Sequence, residues 1–219
     1  MYINGILFDF MGTTAMEKDP SVIQQCFIKS FAEYGVIVSE EEIIVNRGRN
    51  KKDMIETLLR KYNHSSKLLT SILSAFNESL ENSLNEFSEG RSTREVMDFL
   101  KSKNIKIGMG TGFPRSIFES IFNYLKWDSI GFDYIGIAEE TGKGRPYPDM
   151  ILDMIKTLSL QQENFLKVGD TMADIQEGKN AGVRTVAILS GTQSEADIIN
   201  QKPDFVIHDL IELKKIIDS

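Results

Sequence analysis

The sequence is poor in several features, and each absence narrows the range of functions. Among its 219 residues there is a single cysteine, Cys26, so no internal disulfide can form, as is typical of proteins from a reducing compartment. No apolar run reaches the roughly 18 residues that a transmembrane helix needs. Residues 1–10 lack the basic start and the long apolar region of a signal peptide. We therefore expect a cytoplasmic protein that does not bind membranes.

Positive charge is also scarce. The chain has 25 lysines and arginines against 32 aspartates and glutamates, which gives a net charge of -7. Because a nucleic-acid-binding surface needs a basic footprint, we expect no nucleic acid partner. Hydrophobic residues make up 41% of the chain, enough for a substantial core in one large domain or in a core plus a smaller insert.

The arrangement of apolar runs changes along the chain. From residue 91 onward, short apolar runs alternate with helical patterns, which is typical of βα units and a parallel sheet. The predicted strands are 5–8, 105–109, 134–137, 165–168, 185–189 and 205–207. Residues 15–88 show no strand pattern and instead predict helices over 21–34, 40–45, 51–62 and 66–87. Ser92 and Glu95 predict a capping box for a helix over 93–102.

These patterns predict an α/β fold with a mostly parallel sheet and an inserted helical cap. The core domain comprises residues 1–14 and 89–219, and the cap domain comprises residues 15–88. Because the insertion follows the first strand directly, the cap is expected over the carboxyl edge of the sheet. Ligands bind at that edge in open α/β sheets.

Acids, hydroxyls and a cation follow four of the predicted strands. They are Asp9, Thr111, Arg145, and the pair Asp170 and Asp174. Each alone has a structural explanation, such as a helix cap or a solvated loop charge. Together, in this order and at strand ends, they favour a phosphoryl-transfer site with Asp9 as the nucleophile.

Charge balance predicts a metal at this edge. Asp9, Asp170 and Asp174 would repel one another by roughly 4 kcal/mol per close pair at an effective dielectric constant of 20. A divalent cation would relieve that repulsion, and Mg²⁺ commonly binds one or two carboxylates together with phosphate and water. Arg145 and Thr111 would then hold the oxygens of the transferring phosphoryl group.

The four motifs resemble those of the haloacid dehalogenase superfamily, over essentially the whole chain. The matching segments are Asp9-Phe10-Met11-Gly12-Thr13, Thr111, Arg145-Pro146 and Gly169-Asp170-Thr171-Met172-Ala173-Asp174. The resemblance implies a Rossmann-like core, an aspartyl-phosphate intermediate and Mg²⁺.

The resemblance also implies a role for each matching residue. Asp9 would be both nucleophile and metal ligand, and the backbone carbonyl of Met11 and Asp170 would complete the protein ligands. Asp174 would support the metal site, and Thr111 and Arg145 would hold the phosphoryl group. The substrate would further be bound by a set of glycines, one hydroxyl and two cap arginines: Gly12, Thr13, Gly112, Arg47 and Arg49.

Met11 occupies the position of a second acid in the ordinary phosphomonoesterases of that superfamily. A thioether cannot protonate a leaving alkoxide, and general acid catalysis typically contributes 10²–10⁴-fold. Haloacid dehalogenases need no such acid, but they need no Mg²⁺ either, so Asp170 and Asp174 argue against that branch.

The sequence is most similar to the phosphonoacetaldehyde hydrolase, or phosphonatase, branch. The similar segments are Asp9 to Thr14, Gly144 to Pro148, Lys167 to Thr171 and Glu177 to Gly182. In that branch a cap lysine forms a Schiff base with the aldehyde, so that the C–P bond breaks to an enamine. The spacing Gly48-x-x-Lys51 places this lysine at Lys51.

Three positions depart from the phosphonatase pattern. Arg47 replaces a methionine, Met54 a histidine, and Phe113 a tyrosine. The cations around Lys51, which include Arg47 and Arg49, would either lower the pKa of its amine and favour the nucleophilic neutral form, or bind an anionic substrate. His64 and His208 match no motif, and we expect both at the surface.

We therefore predict a Mg²⁺-dependent hydrolase of phosphonatase type that cleaves a small phosphonate or phosphate compound, as a monomer or homodimer. Two alternatives stay open. One is a small-molecule phosphomonoester phosphatase of the same fold, and the other is a binding protein that retains a relic of the site.

Overall fold

The computed structural model describes residues 2–219, which contain eight strands. They are β1 (Gly5–Asp9), β2 (Ala15–Glu17), β3 (Phe87–Glu89), β4 (Lys106–Thr111), β5 (Tyr134–Ile137), β6 (Phe165–Gly169), β7 (Arg184–Ile188) and β8 (Phe205–Ile207). Six of them form one sheet in the order β5-β4-β1-β6-β7-β8, and all neighbouring pairs are parallel. β1 therefore lies inside the sheet and presents its carboxyl end between those of β4 and β6. The α/β prediction with a parallel sheet is confirmed.

Helices cover both faces of this sheet. The α-helices are α1 (Val22–Ala32), α2 (Glu40–Val45), α3 (Lys51–Lys61), α4 (Leu69–Glu81), α5 (Thr93–Ser102), α6 (Arg115–Tyr124), α7 (Ala138–Thr141), α8 (Asp149–Thr157), α9 (Met172–Asn180), α10 (Glu195–Asn200) and α11 (Leu213–Asp218). Short 3₁₀ helices lie at Ser66–Leu68, Leu84–Glu86, Trp127–Ile130, Gln162–Asn164 and Leu210–Glu212.

Strand β1 shows how the core is divided between the two faces. Successive side chains of a strand point to opposite faces. Ile6 and Phe8 accordingly join one apolar cluster with residues of α5, α6 and α11, whereas Leu7 joins another with residues of α8. Because the strand is buried on both faces, its sequence is continuously apolar until Asp9.

Helices α1 to α4 form the inserted segment 15–88, which we call the cap. Its apolar side chains stack on one another, with the rings of Phe27 and Phe76 3.8 Å apart between centroids. Ser39 and Glu42 form a capping box at the start of α2, and the Asn50 side chain accepts hydrogen bonds from the first backbone N–H groups of α3. The sequence predicted the bounds of α2 correctly and those of α1 and α3 within two residues.

Two local predictions were wrong. Strands β2 and β3, at the two ends of the cap, pair antiparallel, although no strand was expected in residues 15–88. Each is three residues long, too short to show an apolar period. The predicted helix over 66–87 consists of a 3₁₀ turn, α4 and a second 3₁₀ turn, and β3 begins at its last residue. Ser92 makes no side-chain cap; it adopts a left-handed conformation, with φ of 63°, while the Thr93 hydroxyl donates to the Thr14 carbonyl.

Other expectations agree with the structure. Cys26 is buried in α1, and His64 and His208 are exposed. Within residues 2–219, no helix combines the length and apolar character that crossing a membrane would require.

Candidate active site

Asp9 ends β1 and lies at the bottom of a pocket between the sheet and the cap. Its side chain is 6% exposed. The Oδ1 atom accepts a hydrogen bond from Nη1 of Arg145 at 2.5 Å. Burial raises the pKa of Asp9, and the nearby Arg145 opposes that rise. Asp9 is thus a buried carboxylate held in one orientation by a cation.

Arg145 connects four parts of the chain through its guanidinium group. Besides Asp9, it donates to Oε2 of Glu177 at 2.9 Å, to the Gly110 carbonyl at 2.7 Å and to the Gly48 carbonyl of the cap at 3.1 Å. The first two contacts join it to α9 and β4, and the third joins it to the cap. Because each donor points in a fixed direction, the guanidinium plane is fully specified.

Asp9, Asp170 and Asp174 converge as the sequence predicted. Each offers one carboxylate oxygen, and these oxygens all lie within 4.8 Å of one another. Oδ1 of Asp170 accepts from the Thr13 hydroxyl at 2.8 Å, while its Oδ2 is buried with no hydrogen-bond partner. Burial, and then the charges of Asp9 and Asp174, raise the pKa of Asp170 well above its usual value. An unpartnered oxygen in a cluster of like charges fits a bound cation.

Gly12 permits this close packing of the acids. It has φ of 98°, and a Cβ at this position would lie 2.2 Å from Oδ2 of Asp170. Any larger residue would therefore both strain the backbone and fill the space beside the unpartnered oxygen.

Two charged residues that sequence analysis did not assign to the site complete its charge balance. Nζ of Lys167 lies 2.9 Å from Oδ1 of Asp174 and 3.3 Å from Oε2 of Glu177, and both partners are fully buried. Burial alone would raise the pKa of Asp174, but attraction to Arg145 and Lys167 outweighs it and lowers the pKa.

The formal charges of this network do not cancel. With every group counted as ionised, the four carboxylates of Asp9, Asp170, Asp174 and Glu177 face the two cations Arg145 and Lys167, which leaves a charge of -2 (four negative charges less two positive ones). The raised pKa of Asp170 is the cost of that excess when no cation is bound. A divalent cation would neutralise that remainder. The residues present therefore fit Mg²⁺.

A sequence signal for Lys167 existed. β6 is buried along its whole length, and a lysine inside a buried strand is rare unless it is paired. Glu177 lies three residues after Asp174 on α9, which places both carboxylates on one helix face toward Lys167.

Lys51 enters the same pocket from the cap. It is the first residue of α3, and its side chain is buried although Lys52 beside it is exposed. Its Nζ lies 4.5 Å from the ring centroid of Phe113 and donates to the Arg49 carbonyl at 3.3 Å. Burial, followed by repulsion from Arg47, lowers the pKa of this amine to about 7. A substantial fraction of Lys51 is therefore neutral near pH 7.

The two cap arginines differ from each other. Arg47 lines the pocket, is buried, and forms an ion pair with Glu17 and a hydrogen bond with Gln24 at 3.3 Å. Arg49 is not among the residues that line the pocket; its Nη1 donates to Oδ1 of Asn46 at 2.6 Å. Arg47 therefore lines the same pocket as Asp9 and Lys51, whereas the Arg49 side chain lies outside that lining, against Asn46.

Of the remaining predicted residues, Thr111 and Gly112 line the same pocket, whereas Gly12 and Thr13 lie against Asp170 and are not part of its lining. Thr111 ends β4, and its hydroxyl accepts from the Phe113 N–H at 3.1 Å. Gly112 contacts the cap so closely that a Cβ there would lie 2.3 Å from the Arg49 carbonyl oxygen. The residues that line the pocket are Asp9, Met11, Ile23, Phe27, Arg47, Gly48, Lys51, Met54, Thr111, Gly112, Phe113 and Arg145.

The profile of the haloacid dehalogenase-like hydrolases matches residues 6–188. The chain belongs to this family. It is a hydrolase whose acidic triad lies at the carboxyl edge of a parallel sheet. Members of this family generally use a metal ion, and the buried aspartates of this chain could hold one.

The chain is similar to proteins with two different names. A phosphonoacetaldehyde hydrolase from Bacillus cytotoxicus is 27% identical, with 98% of this chain and 85% of that protein covered. A protein from Caldanaerobacter subterraneus named as a candidate pyrophosphatase, PpaX, is 29% identical, with 99% of this chain and 96% of that protein covered.

Among solved structures, a phosphonoacetaldehyde hydrolase-like protein from Oleispira antarctica superposes with a TM-score of 0.87 at 20% identity, covering 100% of this chain and 92% of that one. This likeness shows that the fold is shared.

Proposed function

We propose that this hydrolase is of phosphonatase type: it cleaves a small phosphonate that carries an aldehyde or ketone, through an aspartyl-phosphate on Asp9 and a Schiff base on Lys51. The observation that carries the proposal is the position of Lys51. A buried lysine with a pKa lowered to about 7 lines the same pocket as a buried carboxylate at a strand end. A neutral amine and a carboxylate are the two nucleophiles that this reaction requires.

Asp9, Asp170, Asp174 and the backbone carbonyl of Met11 would hold Mg²⁺. When bound, the ion would offset the negative charge that Asp9 and the phosphoryl group bring together. The unpartnered Oδ2 of Asp170 and the excess charge of -2 support this assignment.

The reaction would begin at the cap. The neutral amine of Lys51 adds to the carbonyl carbon of the substrate, and loss of water gives an imine that is protonated on nitrogen. The ring of Phe113 lies 4.5 Å from this nitrogen and stabilises positive charge there through its π face. Phe113 thus takes the place of the phosphonatase tyrosine without offering a hydroxyl.

The second nucleophile acts from the core. A carboxylate oxygen of Asp9 attacks phosphorus, the C–P bond breaks, and its electron pair moves into the iminium to give an enamine. Arg145 and the Thr111 hydroxyl would hold the phosphoryl oxygens. The enamine carbon takes up a proton from water to restore the iminium. Water then hydrolyses the aspartyl-phosphate and the iminium, which frees Asp9 and Lys51. Because the leaving carbon is already stabilised, no acid is required at Met11.

A second candidate is supported by the similarity to PpaX: hydrolysis of a phosphate anhydride or ester on the same Asp9. The apolar Met11 side chain is compatible with this candidate where the leaving group is itself a stable anion, as phosphate is. Lys51 would then contact the substrate only as a charge.

The experiment that separates the two candidates uses a neighbouring pair of lysines. Phosphate release from phosphonoacetaldehyde, pyrophosphate and a panel of phosphate monoesters is measured for the wild type, Lys51→Ala and the control Lys52→Ala. Lys52 follows Lys51 in the same helix turn but is exposed, so it matches the charge change without altering the pocket. In parallel, each protein is treated with cyanoborohydride and aldehyde, and the adduct is located by mass spectrometry.

The phosphonatase proposal expects phosphate release from the phosphonate, its loss in Lys51→Ala but not in Lys52→Ala, and one reduced adduct on Lys51. Efficient hydrolysis of pyrophosphate or esters by Lys51→Ala, with no adduct on Lys51 in the wild type, would instead establish the second candidate. The relic-site alternative has a separate test: only an intact site should be stabilised against heat by beryllofluoride with Mg²⁺.

We also propose the division into a core of residues 1–14 and 89–219 and a cap of residues 15–88, since both ends of the cap pass through the β2–β3 pair. The cytoplasmic location and a monomeric or homodimeric state stay predictions from the sequence. Exclusion of nucleic acid partners likewise rests on the net charge of -7.

A further inference from the structure

Gln193 joins the cap to the core with both ends of its amide. It lies after β7, in a segment that contains none of the four sequence motifs, and its side chain is buried. Oε1 accepts a hydrogen bond from the Met172 N–H at 2.8 Å. Nε2 donates to the Ile44 carbonyl at 3.0 Å and to the Val45 carbonyl at 3.4 Å. The acceptor end therefore binds the core and the donor end binds the cap.

Both partners of the amide are backbone groups at helix ends. Met172 begins α9, so its N–H is one of the first-turn donors that lack an intrahelical acceptor, and Ile44 and Val45 are the last residues of α2. The Ile44 carbonyl also accepts from the Arg47 N–H at 3.1 Å, so Gln193 supplies it with a second donor. The amide orientation is fixed by these partners, because an exchange of O and N would place donor against donor. The helix dipoles reinforce the arrangement, with positive charge at the start of α9 and negative charge at the end of α2.

The two helix ends lead directly to functional groups. The α2 end continues into residues 46–50, which we call the cap loop, and then into Lys51. The start of α9 lies between Asp170 and Asp174. Where the cap loop passes the core, Gly48 approaches Thr171 so closely that a Cβ would lie 2.3 Å from its Oγ1. Gln193 thus binds beside the point where the lysine-bearing and acid-bearing segments meet.

Two other contacts hold the cap loop region, and both involve the site itself. The Lys51 N–H donates to the Gly112 carbonyl at 3.1 Å, and Arg145 donates to the Gly48 carbonyl at 3.1 Å. Gln193 differs from them because it touches neither the pocket nor the acid cluster through its side chain.

We propose that Gln193 is a positioning residue that holds the cap loop closed on the start of α9, so that one amide sets the distance between the Lys51 amine and the aspartate cluster. The proposal does not depend on which substrate is cleaved. It goes beyond the proposed function because it assigns a role to a residue outside the site.

The test uses two variants that distinguish the contact made by the oxygen of the Gln193 amide from the contacts made by its nitrogen. Gln193→Glu keeps an oxygen that accepts from Met172 N–H, which a helix N-terminus favours, but it places a second oxygen against the Ile44 and Val45 carbonyls. Gln193→Leu removes both contacts. Gln176→Glu is the matched control, since it introduces the same charge on the exposed face of α9.

Amide hydrogen exchange is measured on the protein without substrate or metal. In Gln193→Glu we expect the Lys51 amide to exchange roughly tenfold faster, the factor that corresponds to about 1.4 kcal/mol, with Met172 unchanged. In Gln193→Leu both amides should exchange faster, and in Gln176→Glu neither should. Strands β1 and β6 should stay protected in all variants.

Kinetics supply a second readout once a substrate is known. Gln193→Glu should lower kcat/KM by about the factor measured in exchange, while melting temperature changes little. Exchange at Lys51 within twofold of wild type in both Gln193 variants would overturn the proposal. Uniformly faster exchange across the sheet would also overturn it, because Gln193 would then support the fold as a whole. Since substrate is absent from the exchange experiment, either result is distinguishable from a failure of the phosphonatase assignment.

Discussion

The core and cap walls of the pocket hold their charges differently. On the core wall, Asp9 and Arg145 line the pocket, and behind them the fully buried Lys167, Asp174 and Glu177 complete one network in which each cation has at least two carboxylate partners. On the cap wall Arg47 has the single partner Glu17, and within the described part of the chain Lys51 has no ionic partner. Attraction to two cations lowers the pKa of Asp174 in the core network, whereas burial and the charge of Arg47 leave one amine of the cap wall free to lose its proton.

The different charges of the core wall and the cap wall suit two different chemical tasks. The excess negative charge of the core wall suits a bound cation and an approaching phosphoryl group. The cap wall lowers the pKa of Lys51 by burial and by the charge of Arg47. Under the proposed function, phosphoryl chemistry would be located in the part of the site that carries the family motifs, and reactivity toward the organic part of the substrate would be located in the insert.

The largest expected effect comes from removing the nucleophile of the core wall. Asp9→Asn keeps the side-chain volume but cannot form an acyl phosphate, so phosphate release should fall by more than about a thousandfold. Circular dichroism should show an unchanged fold. Turnover within tenfold of the wild type would show that Asp9 is not the nucleophile.

The next effect concerns stability of the core network. Lys167→Met leaves Asp174 and Glu177 with Arg145 as their only cation, and the free energy of unfolding in urea should fall by about 3 kcal/mol. The control Lys103→Met removes the exposed pair with Asp218 and should change stability by less than about 1 kcal/mol. Equal effects of the two substitutions would mean that burial does not strengthen the network.

Metal binding should be visible without any substrate. Mg²⁺ at a hundred times its Kd would stabilise the protein by about 2.7 kcal/mol and raise the melting temperature by roughly 5 to 10 °C. Asp170→Asn should abolish most of that increase, since it removes the unpartnered carboxylate oxygen. A Mg²⁺-dependent increase that is the same in Asp170→Asn would place the ion elsewhere.

The smallest expected effect is a shift in the pH dependence of the Lys51 amine on the cap wall. Reductive trapping of an aldehyde needs the neutral amine of Lys51, so its rate should rise with pH and level off above about 7. The double variant Glu17→Gln with Arg47→Met removes both members of the buried pair and leaves no unpaired charge. Because Arg47 is a larger influence than Glu17, the pKa of Lys51 should rise and the rate curve should move to higher pH. An unchanged curve would assign the low pKa to burial alone.

The sequence predicted most of the scaffold because long apolar strands and amphipathic helices carry a periodic signal. It also brought Asp9, Thr111, Arg145 and the acid pair to one edge, since carboxyl ends of parallel strands must meet there. The antiparallel pair β2–β3 escaped prediction because three residues on each side show no period, and their partners lie about seventy residues apart in the chain.

Side-chain partnerships were the least predictable part of the site. Nothing in the sequence indicates that Arg47 pairs with Glu17, thirty residues earlier, or that Arg49 turns to Asn46 instead of the pocket. Gln193 likewise has no sequence signal, since its role depends on two helix ends that meet only in the folded protein. Lys167 was detectable as a lysine within a buried strand, and its partners followed only from the structure.

The β2–β3 pair has a consequence for how such a protein can change. Ala15 lies opposite Glu89, and the Gly90 N–H donates to the Thr14 carbonyl at 2.7 Å, so the chain leaves the core and returns to it at almost one point. The whole insert between these residues can therefore be exchanged for that of a relative through a single pair of adjacent joints, without cutting any strand of the large sheet. A recombination event of this kind would transfer Lys51, Arg47 and Glu17 together. The residues of the cap that contact the substrate would then pass from one protein to another as a single segment.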